Sequence, residues 1–416
     1  MLSTIAACTA DDASTSASDS SATSADSMAT TADSSASAVR AADTSAGVDT
    51  TAVAAADGDG GSNRGAASSD VATGPRLRLE PGPIIRGLYV NRFAAQSTRR
   101  MAALIAMADS TEVNAFVIDV KDEFGLNIPS DDSILVRNAG SAGVIRNVRA
   151  LMDTLKAHDI LPIARIVVFK DSVAARVNPD RTIRTADGSP WRDKQGLTWV
   201  SPYDESVWEY NFRVAEEAVR LGFGEIQYDY IRFPEPYKSL PTQVFPNQRG
   251  RTKPQILAEF LRTGNERLDK LGVRTTADVF GLVTTINGAL EIGQEWEALS
   301  PVVDVMLPMT YPSHYPRGAF NIARPNAEPH KVVFTAISRA RERDAALGID
   351  GQHVRPWVQA FSLGQPAYDA SHVKAQMQAI YDAGYEGWVW WHPGSKYEPF
   401  LAALDRTLTP KSKPAP

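Results

Sequence analysis

Eight apolar, β-rich runs alternate with helix-patterned segments from residue 84 almost to the C-terminus, and that alternation leaves few folds open. The runs are 84–93, 113–121, 160–169, 224–234, 273–282, 302–311, 354–361 and 385–391. Between them apolar residues recur at helical spacing, as with Met101, Leu104, Ile105 and Ala108, or Val144, Val148, Leu151 and Leu155. Further helices are predicted over 201–221, 254–271, 293–299, 330–347 and 371–383, the first of them capped by Ser201 ahead of Pro202. Strands that alternate with helices pair in parallel, and eight such units make an α/β chain a (β/α)8 TIM barrel. An open doubly wound sheet is the competing arrangement. Against it, no run is followed by a G-x-G-x-x-G turn.

The barrel is expected over residues 76–410, with 411–416 a short tail. Ahead of it, residues 9–75 are mostly Ala, Ser, Thr, Asp and Gly and contain no aromatic side chain. Such a stretch cannot bury enough apolar surface to offset chain entropy, so a disordered, low-complexity N-terminal tether is predicted. The chain carries a net charge of −6 and its first 75 residues carry −8, which leaves +2 on the remainder. A near-neutral domain lacks the basic surplus that nucleic-acid binding requires, so no nucleic-acid partner is expected. The single cysteine, Cys8, follows Ile5-Ala6-Ala7, and this resembles the end of a bacterial lipoprotein signal. The resemblance implies lipidation at Cys8, with residues 1–8 the remnant of the signal. It also implies a true start codon upstream and a domain held at the cell envelope or outside the cell. A membrane contact is expected only through that anchor.

In a barrel of this kind the chemistry sits on loops at the carboxyl ends of the strands. The fourth run brings most there. Alternation puts Glu225, Gln227 and Asp229 on one face, and Ile226, Tyr228 and Tyr230 on the other. The first run delivers Tyr89 and Asn91, the second Asp119 and Lys121, the third Arg165, and Arg232 follows the fourth. Asp278 ends the fifth, Tyr311 and His314 follow the sixth, Gln359 lies on the seventh beside Trp357, and Trp391 ends the eighth. Carboxylates, amides and aromatic rings around one mouth suit a sugar. Rings cover its C–H face while acids and amides take its hydroxyls. Glycoside hydrolysis needs two carboxyl groups, one protonated as acid and one ionised as nucleophile or base.

Asp229 and Asp278 end neighbouring strands about 5 Å apart and are the candidate catalytic pair. Tyr89, Asn91, Asp119, Lys121, Arg165, Arg232, Tyr311, His314, Gln359 and Trp391 are candidates to bind the sugar. Each acid also has a structural reading: Asp229 as a lone buried carboxylate satisfied by backbone donors, Asp278 as a cap on the loop before Gly281. Asp119 and Lys121, on one face, could instead form an ion pair beneath the site. The alternative function is a non-catalytic TIM barrel that binds carbohydrate at the cell surface. Neither H-x-H nor H-E-x-x-H spacing occurs and nothing resembles a calcium loop, so neither a metal nor a cofactor is expected.

Five stretches carry a further resemblance: Arg86–Tyr89, Ala115–Asp122, Glu225–Pro234, Ala277–Gly281 and Met309–Tyr315. Through them, over roughly residues 84–395, the chain resembles the bacterial "putative glycosyl hydrolase" family known as domain of unknown function 4015. The resemblance implies a glycosidase-type barrel acting at the cell envelope on a polysaccharide or oligosaccharide. It implies Asp229 as nucleophile, because α-amylase-like barrels place theirs at the end of strand four. Those barrels carry a glutamate acid at the end of strand five. Here that place holds Asp278, with Glu291 and Glu295 further along the loop as other candidates for the acid.

Overall fold

Each of the eight predicted runs contains a strand, and the strands close on themselves. The computed structural model describes residues 82–140 and 143–406; Cys8, the 9–75 tether and the 411–416 tail lie outside the described residues. The strands are β1 Arg86–Val90, β2 Ala115–Asp122, β3 Leu161–Val167 and β4 Glu225–Asp229. Then come β5 Arg274–Phe280, β6 Val305–Met309, β7 Trp357–Gln359 and β8 Trp388–Trp391. Every strand pairs in parallel with the next, and β8 pairs with β1, so the sheet is a (β/α)8 barrel rather than an open sheet. A two-residue strand, Gly125–Leu126, folds back antiparallel on the end of β2.

Among the described residues six longer helices surround it: α1 Thr98–Asp109, α2 Val148–Ala157, α3 Glu205–Leu221, α4 Lys253–Asp269, α5 Pro329–Ala346 and α6 Ala370–Asp382. The start of α3 differs from the expectation. Asp204, not Ser201, caps the helix by accepting from the Ser206 N–H at 3.0 Å. Ser201 instead turns the preceding loop, where the buried Tyr203 ring packs 5.2 Å from Phe233. α3 stops at Gly222, whose φ of 110° places it in the left-handed region that glycine adopts without strain.

Alternation along β4 sets the two sides of the wall. Ile226 and Tyr228 join the layer between barrel and helices, with Tyr228 5.2 Å from Phe260 of α4. Glu225, Gln227 and Asp229 face inward and belong to three levels of the barrel. At the floor Glu225 takes a two-pronged ion pair from Arg355, at 2.6 and 3.1 Å. At mid-height Gln227 meets Asp278, and at the mouth Asp229 meets Arg165. Apolar side chains, among them Val117, Ile163, Leu307 and Val389, fill the space between.

The floor pair is buried on both sides, so removing one partner strands the other charge. Glu225→Leu should lower unfolding free energy in urea by about 3–5 kcal/mol, and adding Arg355→Met should restore most of it. A loss below about 1 kcal/mol, the scale of an exposed pair, would contradict this reading.

Candidate active site

Arg165, on β3, organises the mouth. Its Nη1 donates to Asp119 Oδ1 at 2.6 Å, its Nε donates to Asp229 Oδ2 at 3.0 Å, and its Nη2 reaches the same Asp229 oxygen. Strand register explains the geometry: Asp119 lies opposite Arg165 on β2, and Asp229 is two residues beyond Gln227, the β4 partner of Arg165. The Tyr89 hydroxyl donates to Asp119 Oδ2 at 2.5 Å. The Tyr89 ring stacks on Trp391 at 3.9 Å, and the Arg165 guanidinium lies 5.5 and 5.4 Å from the two ring centres. Burial lifts the Asp119 carboxyl above its ordinary range, against the opposing pull of Arg165 and Tyr89.

Asp229 has a second partner. Its Oδ1 accepts the N–H of the next residue, Tyr230, at 2.5 Å. Tyr230 has a φ of 51°, a conformation that costs a bulky residue of order 1–3 kcal/mol. The kink ends β4, aims that N–H at the carboxylate, and sets the Tyr230 ring 4.8 Å from the Arg232 guanidinium.

Asp278 lies one rung beyond Ala277, the partner of Tyr228, and so stands beside Asp229. It does not cap a loop. Both its oxygens take the Gln227 amide, at 3.0 and 2.9 Å, and Oδ1 also accepts from Trp357 Nε1 at 2.7 Å. It is 1% exposed, and burial, then the charge of Asp229, hold its carboxyl well above the usual range. The two acids are thus set apart by their surroundings: Asp229 is paired with a cation, while Asp278 sits among neutral donors.

Other candidates have different places. Tyr311 faces this pair, and burial, then the charges of Asp278 and Asp229, raise its phenol. The His314 ring lies 5.2 Å from Tyr311, and Trp391 is half-buried at the end of β8. Lys121 leaves the mouth. A bulge between Asp119 and Lys121 breaks the alternation, and the fully buried ammonium pairs with Asp171 at 2.8 Å, not with Asp119. Asn91 caps the short helix Arg92–Gln96 and donates to the Pro393 carbonyl at 2.8 Å, fastening the β1 and β8 loops. Gln359 is consumed by the Ser313 N–H and the Phe361 carbonyl, so it shapes the loop that carries Tyr311. Arg232 is 4% exposed, pairs with Glu235 at 3.1 Å and lies against Trp199, Tyr230 and Phe280 in the wall beside the mouth.

Glu291 is exposed, and Glu295 starts the short helix Trp296–Leu299. Gln294, just before Glu295, clasps the Asp278 carbonyl at 3.2 Å. Two residues not named as site candidates, Gln227 and Trp357, hold Asp278. Alternation had placed Gln227 on the face of Asp229, which was the available signal. Among the described residues, no group of three His, Cys, Asp or Glu side chains could hold a metal ion.

The family model for the "putative glycosyl hydrolase domain", domain of unknown function 4015, matches residues 87–397. The chain belongs to this family. Its barrel is similar to the glycoside hydrolase domain of PgaB (BpsB) from Bordetella bronchiseptica. The TM-score is 0.56 at 15% identity, over 77% of this chain and 98% of that one. A hypothetical protein from Ruminiclostridium thermocellum is 34% identical over 46% of this chain and 97% of its own, with a TM-score of 0.42. The spore cortex-lytic enzyme SleL of Bacillus megaterium gives a TM-score of 0.46 at 12% identity, over 79% of this chain and 74% of that one. No curated protein matches by sequence. The fold is thus similar to that of the PgaB glycoside hydrolase domain, and the family is that of the "putative glycosyl hydrolase domain".

The setting of Asp278 has a consequence for stability. Burial raises the Asp278 carboxyl in the folded chain above that of an unfolded aspartate, near pH 3.9, so folding takes up a proton at pH values between the two. That contribution is complete below the unfolded value and is lost as pH rises toward the folded one. Asp278→Asn, which does not ionise, should gain stability relative to the parent as pH rises above about 4. Urea unfolding at a series of pH values checks this; parallel curves would contradict it.

Proposed function

We propose that the protein is a glycoside hydrolase that cleaves an envelope or extracellular polysaccharide, with Asp278 as the acid and Asp229 as nucleophile or base. The observation that carries this is the contrast between two adjacent carboxyls, one ion-paired and one buried among neutral donors. In the reaction Asp278 gives its proton to the glycosidic oxygen as the C–O electron pair leaves with that oxygen. The positive charge that develops at the anomeric carbon is met by the Asp229 carboxylate, either directly or through a water it deprotonates. Trp391, half-buried and stacked on Tyr89, offers a face for the sugar ring, and Tyr311 and His314 border it.

One observation favours the non-catalytic reading. Asp278 at 1% exposure lies deep, and a barrel could hold sugar at its rim without bringing a glycosidic bond to that carboxyl. For placement at the envelope, the sequence around Cys8 is the support. Mass spectrometry of the membrane fraction should find a lipid-modified Cys8, and an unmodified thiol there would remove the anchor.

Residues 76–416 screened against polysaccharides and peptidoglycan should release reducing ends. Asp229→Asn and Asp278→Asn should each lower kcat/KM by about 10²–10⁴-fold, and Asp278→Asn should lose least on substrates with good leaving groups. Proton NMR of the first-formed anomer then separates retention, which needs carboxyls about 5–5.5 Å apart, from inversion at about 6.5–9.5 Å. Sugar binding with no cleavage would favour the non-catalytic barrel.

A further inference from the structure

One polar atom beside the acid has no partner. Gln227 is fully buried and directs Nε2 at both Asp278 oxygens, 3.0 Å from Oδ1 and 2.9 Å from Oδ2, while its own Oε1 is buried and unbonded. Trp357 donates to Oδ1 at 2.7 Å, which fixes that oxygen as an acceptor. A proton on Asp278 therefore belongs on Oδ2. There it would meet the N–H of Gln227, donor against donor, with the amide's only acceptor unused. An amide escapes this by turning 180° about its last torsion, which exchanges Oε1 and Nε2 at nearly constant shape.

We infer that Gln227 is the positioning residue for Asp278 and that its amide turns over with the proton. In the acid, Oε1 accepts from Oδ2–H; in the carboxylate, Nε2–H donates to Oδ2. This rests on the acid role proposed for Asp278. When Oδ2–H passes its proton to the glycosidic oxygen, the turned amide supplies a hydrogen bond to the negative charge left behind. When a water returns a proton to the carboxylate, the amide turns back. The groups that face Asp278 are Asp229 from β4, Arg165 from β3, Trp357 from β7 and Tyr311 after β6. Asp229 opposes ionisation and Arg165 favours it, and the two bond each other rather than Oδ2. Gln227 is the side chain placed to serve both protonation states. Trp357, a donor only, can serve just one.

Infrared difference titration of the full chain without substrate tests this, with Asp278→Asn identifying the Asp278 carboxyl band. In Gln227→Met the protonated carboxyl should stretch at higher frequency, because it no longer donates to an amide oxygen. Its titration midpoint should also rise, by about ten-fold in proton affinity, since the bond lost to the carboxylate is roughly twice as strong as the one lost to the neutral acid. An unchanged stretch and midpoint would overturn the proposal. Should Gln227→Met not fold, the unsubstituted chain carries the test through the Gln227 side-chain NH2 resonances. Two distinct positions on either side of the Asp278 midpoint support turnover of the amide, and one position throughout contradicts it. Neither measurement needs turnover of substrate. Absence of hydrolysis would count against the glycosidase reading alone, and a fixed amide in an active enzyme against Gln227 alone.

Discussion

A guanidinium inside a barrel is tolerable only with anions around it, and Arg165 has two. Moving an ion from water into a protein interior costs several kcal/mol even after relaxation, and this is offset only where geometry is good and the remaining polar atoms are bonded. Here Asp119 and Asp229 supply the charge, Tyr89 and the Tyr230 N–H complete the carboxylates, and the rings of Tyr89 and Trp391 cover the cation. Five strands, β1, β2, β3, β4 and β8, meet at this one point. The arrangement pairs Asp229 with a cation at the mouth and leaves Asp278, one strand away, hydrogen-bonded to neutral donors.

That asymmetry divides labour between two side chains of the same type. Nothing in the chemistry of aspartate distinguishes Asp229 from Asp278. Their neighbours do, and those neighbours arrive from opposite sides of the barrel: Arg165 from β3, Trp357 from β7. Closure of the sheet is what lets Trp357 reach across to a β5 carboxyl. Gly281 helps to hold the far wall close, because a side chain there would meet the Met309 carbonyl at 2.5 Å. Below, the Glu225–Arg355 pair ties β4 to the segment before β7 and supports the same cross-section from the floor.

Much of this was legible in the residues. The period of two in Glu225, Gln227 and Asp229 foretold three inward polar levels, and the strand count foretold closure. The adjacency of Asp229 and Asp278 followed from their places at the ends of consecutive strands. Lys121 shows where such reading fails. Alternation assigned it to the face of Asp119, but a one-residue bulge, which leaves no mark on residue types, turned it toward Asp171. Asn91 and Gln359 show a second failure. Polar residues at strand ends were expected to meet substrate, whereas loops also need donors and acceptors, and these two bind loop backbone. The roles of Gln227 and Trp357 depend on side chains meeting from separate strands, which residue spacing does not encode.

The central claim is that Arg165 holds Asp119 and Asp229 at the mouth and opposes the burial that raises the Asp119 carboxyl. Equilibrium unfolding of Arg165→Met and of the unsubstituted chain, from about pH 5 to about pH 8, tests it most directly. Without the cation, burial should lift the Asp119 carboxyl further, so the variant should lose stability relative to the parent as pH rises. A stability difference that stays constant across that range would contradict the account.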